Sequence, residues 1–123
     1  MTSKILIIDD EQDICFLLKR QLRLNQYVVQ DASNLTEGYT KFRDFVPDVL
    51  ILDINLPDGN GAESAYKFKE LNKTTSIILI SADNDQLNNK FTNYSANAFL
   101  KKPFTIDQLI YKIEKLSQIN YNS

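Results

Sequence analysis

Short runs of apolar residues alternate with segments of helical periodicity along the whole chain. Each run has a length typical of a strand and is followed by polar or turn-forming residues. The third run, DVLILD, is almost entirely apolar, as is typical of a strand buried on both faces of a sheet. The runs predict five strands, at Lys4–Asp9, Tyr27–Asp31, Asp48–Asp53, Ser76–Ser81 and Asn97–Lys101.

Between these runs, apolar residues recur three or four positions apart, which predicts helices that each bury one face. Ser33 or Asn34 is placed to cap the second helix, and Thr105 with Gln108 forms a capping-box pattern before the last one. Asp85–Tyr94 predicts only a weak helix, because asparagine is a poor helix former. The inward positions predicted for the first, second and last helices are Ile14, Leu17, Leu18 and Leu22; Leu35, Tyr39, Phe42 and Phe45 or Val46; and Ile106, Leu109, Ile110, Ile113 and Leu116.

Strands and helices alternate with short connections, which predicts a parallel sheet covered by helices on both faces. A helix from about Ala62 to Leu71 follows the loop INLPDGNGA after the third strand. We find no internal repeat, linker or low-complexity block in the sequence. Residues 1–118 are therefore predicted to form one domain, and residues 119–123 a polar tail.

The composition narrows the classes of function. The 123 residues suit one domain, and 14 Lys and Arg against 16 Asp and Glu give a net charge of -2. That balance predicts no direct binding of nucleic acid. No apolar stretch approaches the ~20 residues that span a bilayer. We therefore expect a cytoplasmic protein that does not bind membranes.

The chain contains no histidine, and Cys15 is its single cysteine. Catalysis by a Ser-His-Asp or Cys-His arrangement is thereby excluded. Cys15 lies in an apolar string, so we interpret it as an inert thiol on a helix. Any chemistry must rely on carboxylates, hydroxyls, lysine and a hard cation.

Polar residues stand where the predicted strands end. Asp9 and Asp10 follow the first strand, Asp53 ends the third, Ser81 ends the fourth and Lys102 follows the fifth. Ligands of open α/β sheets bind outside the carboxyl ends of the strands. The three carboxylates, the hydroxyl and the ammonium are therefore predicted to converge if the first and third strands are neighbours.

This set of side chains indicates phosphoryl chemistry. Carboxylates without histidine or thiolate suit Mg²⁺ or Mn²⁺, and Mg²⁺ leaves coordination positions for phosphate oxygens. A carboxylate can also act as a nucleophile toward phosphorus. Asp53 is the candidate nucleophile, being the lone acid at the end of the most buried strand. Lys102 and the Ser81 hydroxyl are each predicted to meet a phosphoryl oxygen.

The sequence resembles the receiver domain of two-component response regulators, the CheY-like family. The segments that carry the resemblance are IIDDE, LILDINLPDGNG, ILISA and AFLKKPF, which follow one another in this order within Lys4–Ser117. Each segment alone is a weak signal, but four in order at this spacing are specific. The resemblance implies a flavodoxin-like, doubly wound (βα)5 fold with a five-stranded parallel sheet of order 2-1-3-4-5 and helices on both faces.

The resemblance also implies roles for individual residues. Asp53 would accept a phosphoryl group from a histidine kinase or a histidine phosphotransfer protein. Asp10, Asp53 and the backbone carbonyl of Asn55 would hold Mg²⁺, and Asp9 would act through water. Lys102 would contact the acyl phosphate. The absence of histidine is consistent with these roles, because the donor histidine belongs to the partner.

Ser81 and Phe99 match the pair of residues that switches conformation in this family. The peptide bond between Lys102 and Pro103 is expected to be cis by the same resemblance. Phe16 lies opposite the apolar stripe of the first helix and close to the acidic residues. We hypothesise that it is a docking contact for the phosphoryl donor.

Several alternatives remain open from the sequence. A metal-dependent phosphatase with an aspartyl nucleophile typically needs a second acid two residues later, where this chain has Asn55. A degenerate receiver would bind partners without phosphorylation. The signal would pass to a downstream effector or a fused output domain that this chain does not contain. The protein is also a candidate for a phosphorylation-dependent homodimer through the last two helices and the fifth strand. The sequence specifies neither the cognate kinase nor the phosphoryl lifetime.

Overall fold

The structure is a computed structural model that describes residues 3–82 and 95–122, with side chains up to residue 117. The predicted weak helix at Asp85–Tyr94 lies outside the described residues. In chain order the elements are β1 (Lys4–Ile8), α1 (Gln12–Leu24), β2 (Val28–Ala32), α2 (Leu35–Phe45), β3 (Val49–Asp53), β4 (Asn55–Leu56), β5 (Gly59–Asn60), α3 (Gly61–Leu71), β6 (Ser76–Ser81), β7 (Ala98–Lys101) and α4 (Ile106–Asn122).

Five of the strands form one parallel sheet in the order β2-β1-β3-β6-β7. Counting only the strands of this sheet, the order is 2-1-3-4-5, which confirms the predicted flavodoxin-like topology. The chain reverses its direction of winding between β1 and β3, which are hydrogen-bonded neighbours. This switch point places the end of β1 beside the end of β3, and ligands bind at such positions in doubly wound sheets.

The sheet separates two apolar layers, because neighbouring residues of a strand point to opposite faces. On one face, Leu6 and Ile8 of β1 pack with residues of α2 and α3. On the other face, Ile5 and Ile7 pack with residues of α1 and α4. Within the described residues, no helix has both the length and the apolar character that crossing a membrane would require.

Two predicted caps are confirmed. The side chain of Asn34 accepts a hydrogen bond from Glu37 N at 2.8 Å and begins α2. Thr105 and Gln108 exchange hydrogen bonds of 2.9 and 3.1 Å, as the capping-box pattern predicts.

Other local predictions differ from the structure. Leu17 was predicted to face inward, but it is 58% exposed, because Cys15, Leu18 and Leu22 form the buried stripe of α1. The backbone of α4 continues to Asn122, through most of the segment predicted as a polar tail. That segment contains neither glycine nor proline, so no residue in it interrupts the helical hydrogen bonds.

Candidate functional site

A lysine and three carboxylates meet at the switch point of the sheet. Lys102 Nζ lies 2.8 Å from Asp9 Oδ2, 3.1 Å from Asp53 Oδ2 and 2.9 Å from Glu11 Oε1. The side chain of Lys102 is 10% exposed, and Asp9 and Asp53 are buried. The ammonium group therefore holds carboxylates from two different strand ends in one small cluster.

The strand order explains why these residues meet. Ile8 of β1 pairs with Leu52 of β3, so the residues that follow them, Asp9 and Asp53, emerge side by side. Lys102 directly follows β7 and its amide donates to the carbonyl of Ser81 at 2.9 Å. The Lys102–Pro103 peptide bond is cis, as the family resemblance implied.

Backbone amides orient the two buried carboxylates. Glu11 N donates to Asp9 Oδ1 at 2.9 Å, and Asn55 N donates to Asp53 Oδ1 at 3.1 Å. Each acid thus accepts an amide hydrogen bond on one oxygen and faces Lys102 with the other. The amide and lysine contacts together fix the rotation of both carboxylates, so that one oxygen of each points into the cluster.

The start of α3 packs directly against the backbone of Asp53. A Cβ atom at Gly61 would lie 2.0 Å from the carbonyl oxygen of Asp53, so no side chain fits there. Gly61 N also donates to the carbonyl of Ile54 at 2.8 Å. The position of Asp53 therefore depends on the absence of a side chain at Gly61.

The Gly61→Ala variant is expected to lose roughly 2–3 kcal/mol of unfolding free energy, because the added methyl group must displace backbone. We expect Gly38→Ala to be milder, although its Cβ would lie 2.4 Å from Ile8 Cδ1, because that side-chain terminus can rotate away. Chemical denaturation of both variants measures the difference. Equal losses would show that the contact with Asp53 is not rigid.

Burial and neighbouring charges shift the ionisation of the site. Burial raises the pKa of Asp53, the charge of Asp9 raises it further, and Lys102 and the amide of Asn55 only partly offset these effects, giving about 6. Burial lowers the pKa of Lys102, but the hydrogen bonds to Asp9 and Glu11 and the charge of Asp53 outweigh it, so the net shift is upward. Lys102 is thus cationic at neutral pH and Asp53 is mostly anionic.

The acids have the geometry of a cation site. Asp9, Asp10 and Asp53 each offer a carboxylate oxygen, and these oxygens lie within 4.8 Å of one another. Asp10 is exposed, whereas the other two acids are buried. All three donors are hard oxygen ligands. Water can reach the cluster from the side of the exposed Asp10, and Mg²⁺ usually retains several water ligands. The residues present therefore fit Mg²⁺, and a role for the Asn55 carbonyl remains a prediction.

The remaining predicted residues lie where the sequence placed them. Ser81 is fully buried at the end of β6, and Phe99 on β7 is partly buried against the apolar layer that contains α2 and α3. Their switching role stays a prediction. Burial raises the pKa of Cys15 to about 12, and Asp9 adds to this shift, so the thiol stays protonated as expected of an inert cysteine.

The sequence did not indicate that Glu11 would be a partner of Lys102. These residues are separated by 91 positions along the chain, and the side chain of Glu11 is 54% exposed. The contact depends on the fold, which brings Glu11, before α1, and Lys102, after β7, together at the carboxyl ends of the strands, although β3 and β6 lie between β1 and β7 in the sheet. The one sequence signal was the position of Glu11 directly after two other acids.

The fold and the site together define a receiver-type α/β domain, and comparisons with known proteins agree. The family described as response regulator receiver domain matches residues 5–114. The transcriptional regulatory protein KdpE of Staphylococcus aureus is 33% identical over 119 residues, covering 97% of this chain and 52% of KdpE. The response regulator ArlR of Staphylococcus saprophyticus is 31% identical over 115 residues, covering 93% of this chain and 52% of ArlR.

The chain belongs to the response regulator receiver domain family. It spans about half the length of the relatives KdpE and ArlR. A CheY-like receiver domain protein from Methanospirillum hungatei superimposes with a TM-score of 0.91 at 30% identity, covering 100% of both chains. TrrA of Thermotoga maritima, solved in complex with Mg²⁺-BeF, superimposes with a TM-score of 0.84 at 33% identity, covering 94% of this chain and 99% of TrrA.

Proposed function

We propose that residues 1–118 form a receiver domain that accepts a phosphoryl group on Asp53 and then binds its partners differently. The donor is a histidine kinase or a histidine phosphotransfer protein, and the reaction depends on Mg²⁺. The observation that carries the proposal is the buried Asp53 carboxylate, 3.1 Å from Lys102 and grouped with Asp9 and Asp10. A nucleophile, a fixed cation and oxygen ligands are thereby present in one site.

In the proposed reaction, an anionic oxygen of Asp53 attacks the phosphorus of a phosphohistidine. The new oxygen–phosphorus bond forms as the nitrogen–phosphorus bond breaks, and the electron pair stays on the imidazole of the donor. The ammonium of Lys102 neutralises charge on the phosphoryl oxygens. When bound, Mg²⁺ supplies further positive charge against the phosphoryl oxygens and the carboxylates. Water later hydrolyses the acyl phosphate, which releases inorganic phosphate and regenerates the Asp53 carboxylate.

Fluoroberyllate binding tests the proposal, since this anion mimics a phosphoryl group on a carboxylate. We expect it to shift the amide NMR signals of Asp53, Asn55 and Lys102 in the presence of Mg²⁺ and to leave them unchanged in EDTA. A degenerate receiver would bind no fluoroberyllate. Steady hydrolysis of a generic phosphate ester would instead support the phosphatase alternative, which the Asn55 side chain disfavours.

The relatives suggest how the signal continues. KdpE is described as a transcriptional regulatory protein and is about twice as long as this chain. We infer that phosphorylation acts on a downstream effector or on a fused output domain of a longer protein. The cytoplasmic location predicted from the sequence and a phosphorylation-dependent homodimer remain parts of this proposal.

Phe16 is the proposed docking contact for the phosphoryl donor. It is 64% exposed on α1, next to the exposed Leu17. Leu17 also borders an apolar groove of about 440 Å³ that reaches Lys102. Of the residues that the structure describes, Glu11, Ile14, Ala82, Pro103 and Phe104 also line the groove. A donor protein seated here would bring its histidine close to the acceptor.

The Phe16→Ala variant is expected to slow phosphotransfer from the cognate donor by roughly 10-fold, the effect of losing an interface anchor. Labelling by acetyl phosphate should not change, because that small donor needs no docking surface. Tyr66→Ala is the matched control, since Tyr66 is 50% exposed on α3. An unchanged rate of transfer to Phe16→Ala would contradict the docking role.

A further inference from the structure

The short hairpin formed by β4 and β5 is attached to the start of α2 by one carboxylate. Asp58, in the turn of the hairpin, accepts hydrogen bonds from Leu35 N at 2.8 Å and from Thr36 N at 3.0 Å. The hydroxyl of Thr36 donates to the same carboxylate at 2.9 Å. Both oxygens of Asp58 are therefore engaged by a segment more than 20 residues away in sequence.

A second contact brings the same two segments together. A Cβ atom at Gly59 would lie 2.8 Å from Leu35 Cδ1, so the hairpin turn rests against the first residue of α2. This contact is apolar and independent of the hydrogen bonds of Asp58. The turn is thus held on α2 by both packing and charge.

The hairpin leads directly to the phosphoacceptor. Asn55 pairs with Asn60 across the hairpin, and Asn55 N donates to Asp53 Oδ1 at 3.1 Å. The carbonyl group predicted to be a ligand of Mg²⁺ belongs to the same residue, Asn55. Any movement of the hairpin tip is therefore transmitted to the residue that orients Asp53.

We propose that Asp58 is a positioning residue of the Asp53 site, which it serves by tying the hairpin to α2 and so placing the backbone of Asn55. This inference rests on the proposed function, because it assigns to Asp58 a part in binding the cation. Among the described residues, Asp58 hydrogen-bonds to Leu35 and Thr36 on α2 and to none of the acids of the site. Its effect on the site passes through the β4–β5 ladder.

Capping of α2 alone does not explain why Asp58 of the hairpin contacts the first turn of this helix. Asn34 already provides the local cap of α2 by accepting from Glu37 N. Asp58 satisfies two further amides of the first turn, and acids are favourable at that end of a helix. The hydrogen bonds from Leu35 and Thr36 lower the pKa of Asp58, so the carboxylate stays charged at neutral pH. If Asp58 served only to cap α2, it would not have to lie in the same hairpin as Asn55.

The test compares two variants that both weaken the start of α2. Asp58→Asn removes one acceptor oxygen and the charge from the hairpin contact, whereas Asn34→Ala removes the local cap and leaves the hairpin tied. Mg²⁺ affinity is measured by isothermal titration calorimetry, and the environment of Asn55 by its amide NMR signal. Asp58→Asn should bind Mg²⁺ roughly 10-fold more weakly than wild type, the size of effect seen when partners that orient metal ligands are lost. It should also shift the Asn55 signal, and Asn34→Ala should change neither.

Two results would overturn the inference while leaving the proposed function intact. One is wild-type Mg²⁺ affinity in a folded Asp58→Asn variant, and the other is an equal loss of affinity in Asn34→Ala. If Asp58→Asn does not fold, Thr36→Val removes one hydrogen bond to Asp58, and a wild-type affinity of that variant would count against the inference in the same way. Failure of the wild-type protein to bind Mg²⁺ would instead overturn the proposed function, and the inference with it.

Discussion

The Asp53→Asn variant is expected to lose Mg²⁺-dependent phosphorylation completely and, without metal, to be more stable than wild type by roughly 1–3 kcal/mol at neutral pH. The loss follows because an amide cannot form the acyl phosphate. The gain follows because burial and the charge of Asp9 make an anionic Asp53 costly in the folded protein. Lys102 keeps its contacts with Asp9 and Glu11 in the variant, so its own charge stays paired.

The gain in stability should depend on pH in a defined direction. The pKa of Asp53 rises from 3.8 to about 6 on folding, so between these values the folded protein holds the proton more tightly than the unfolded chain does. The destabilising effect of Asp53 is therefore absent below about pH 4, grows as the pH rises, and is complete above about pH 6. The stability difference between variant and wild type should follow the same course.

Urea denaturation in EDTA at several pH values measures this difference. Asp107→Asn is the matched control, because Asp107 is exposed in the first turn of α4 and should change stability by less than about 0.5 kcal/mol. A stability gain of Asp53→Asn that persists below pH 4 would have to come from another cause. No gain in stability at neutral pH would mean that burial and the charge of Asp9 do not destabilise the ionised Asp53 carboxylate.

The Lys102→Met variant is expected to lose about 3 kcal/mol of unfolding free energy in the absence of metal. Methionine keeps the length of the side chain but leaves the buried Asp9 and Asp53 facing each other without a cation. Mg²⁺ should restore much of this loss, because it fits the same acids. The rise in melting temperature on adding Mg²⁺ should therefore be larger in the variant than in wild type.

Lys101→Met provides the control for Lys102→Met, since Lys101 is the exposed neighbour at the end of β7. Its stability should match that of wild type with and without Mg²⁺. Differential scanning calorimetry of the three proteins in EDTA and in Mg²⁺ gives all the values needed. If Lys102→Met were as stable as Lys101→Met in EDTA, the ion pairs of Lys102 would contribute nothing to the fold.

The sheet and most of the acidic site could be predicted from the sequence, because their signals are local. Alternation of buried strands and amphipathic helices specifies the five main strands, and a residue at a strand end must lie at one edge of a parallel sheet. Asp9, Asp53 and Lys102 follow from that rule once β1 and β3 are neighbours. The family resemblance supplied the strand order and the identity of the phosphoacceptor.

Features created by tertiary contact could not be predicted in this way. The β4–β5 hairpin consists of two-residue strands, which are too short for any periodicity, in a segment rich in asparagine and glycine. Asp58 looks like an ordinary turn residue in the sequence, and its partners on α2 are 22 and 23 positions away. Leu17 was misassigned because helical spacing alone does not show which edge of an apolar stripe meets the sheet.

Asp53 is proposed to receive the phosphoryl group in the site that the acids share with Lys102. Peptide mapping by tandem mass spectrometry after incubation with acetyl phosphate identifies the residue that carries this group. We predict one phosphoryl group per chain, located on Asp53, formed in Mg²⁺ and absent in EDTA. A phosphoryl group on another residue, or none at all in a protein that binds Mg²⁺, would contradict the role proposed for Asp53.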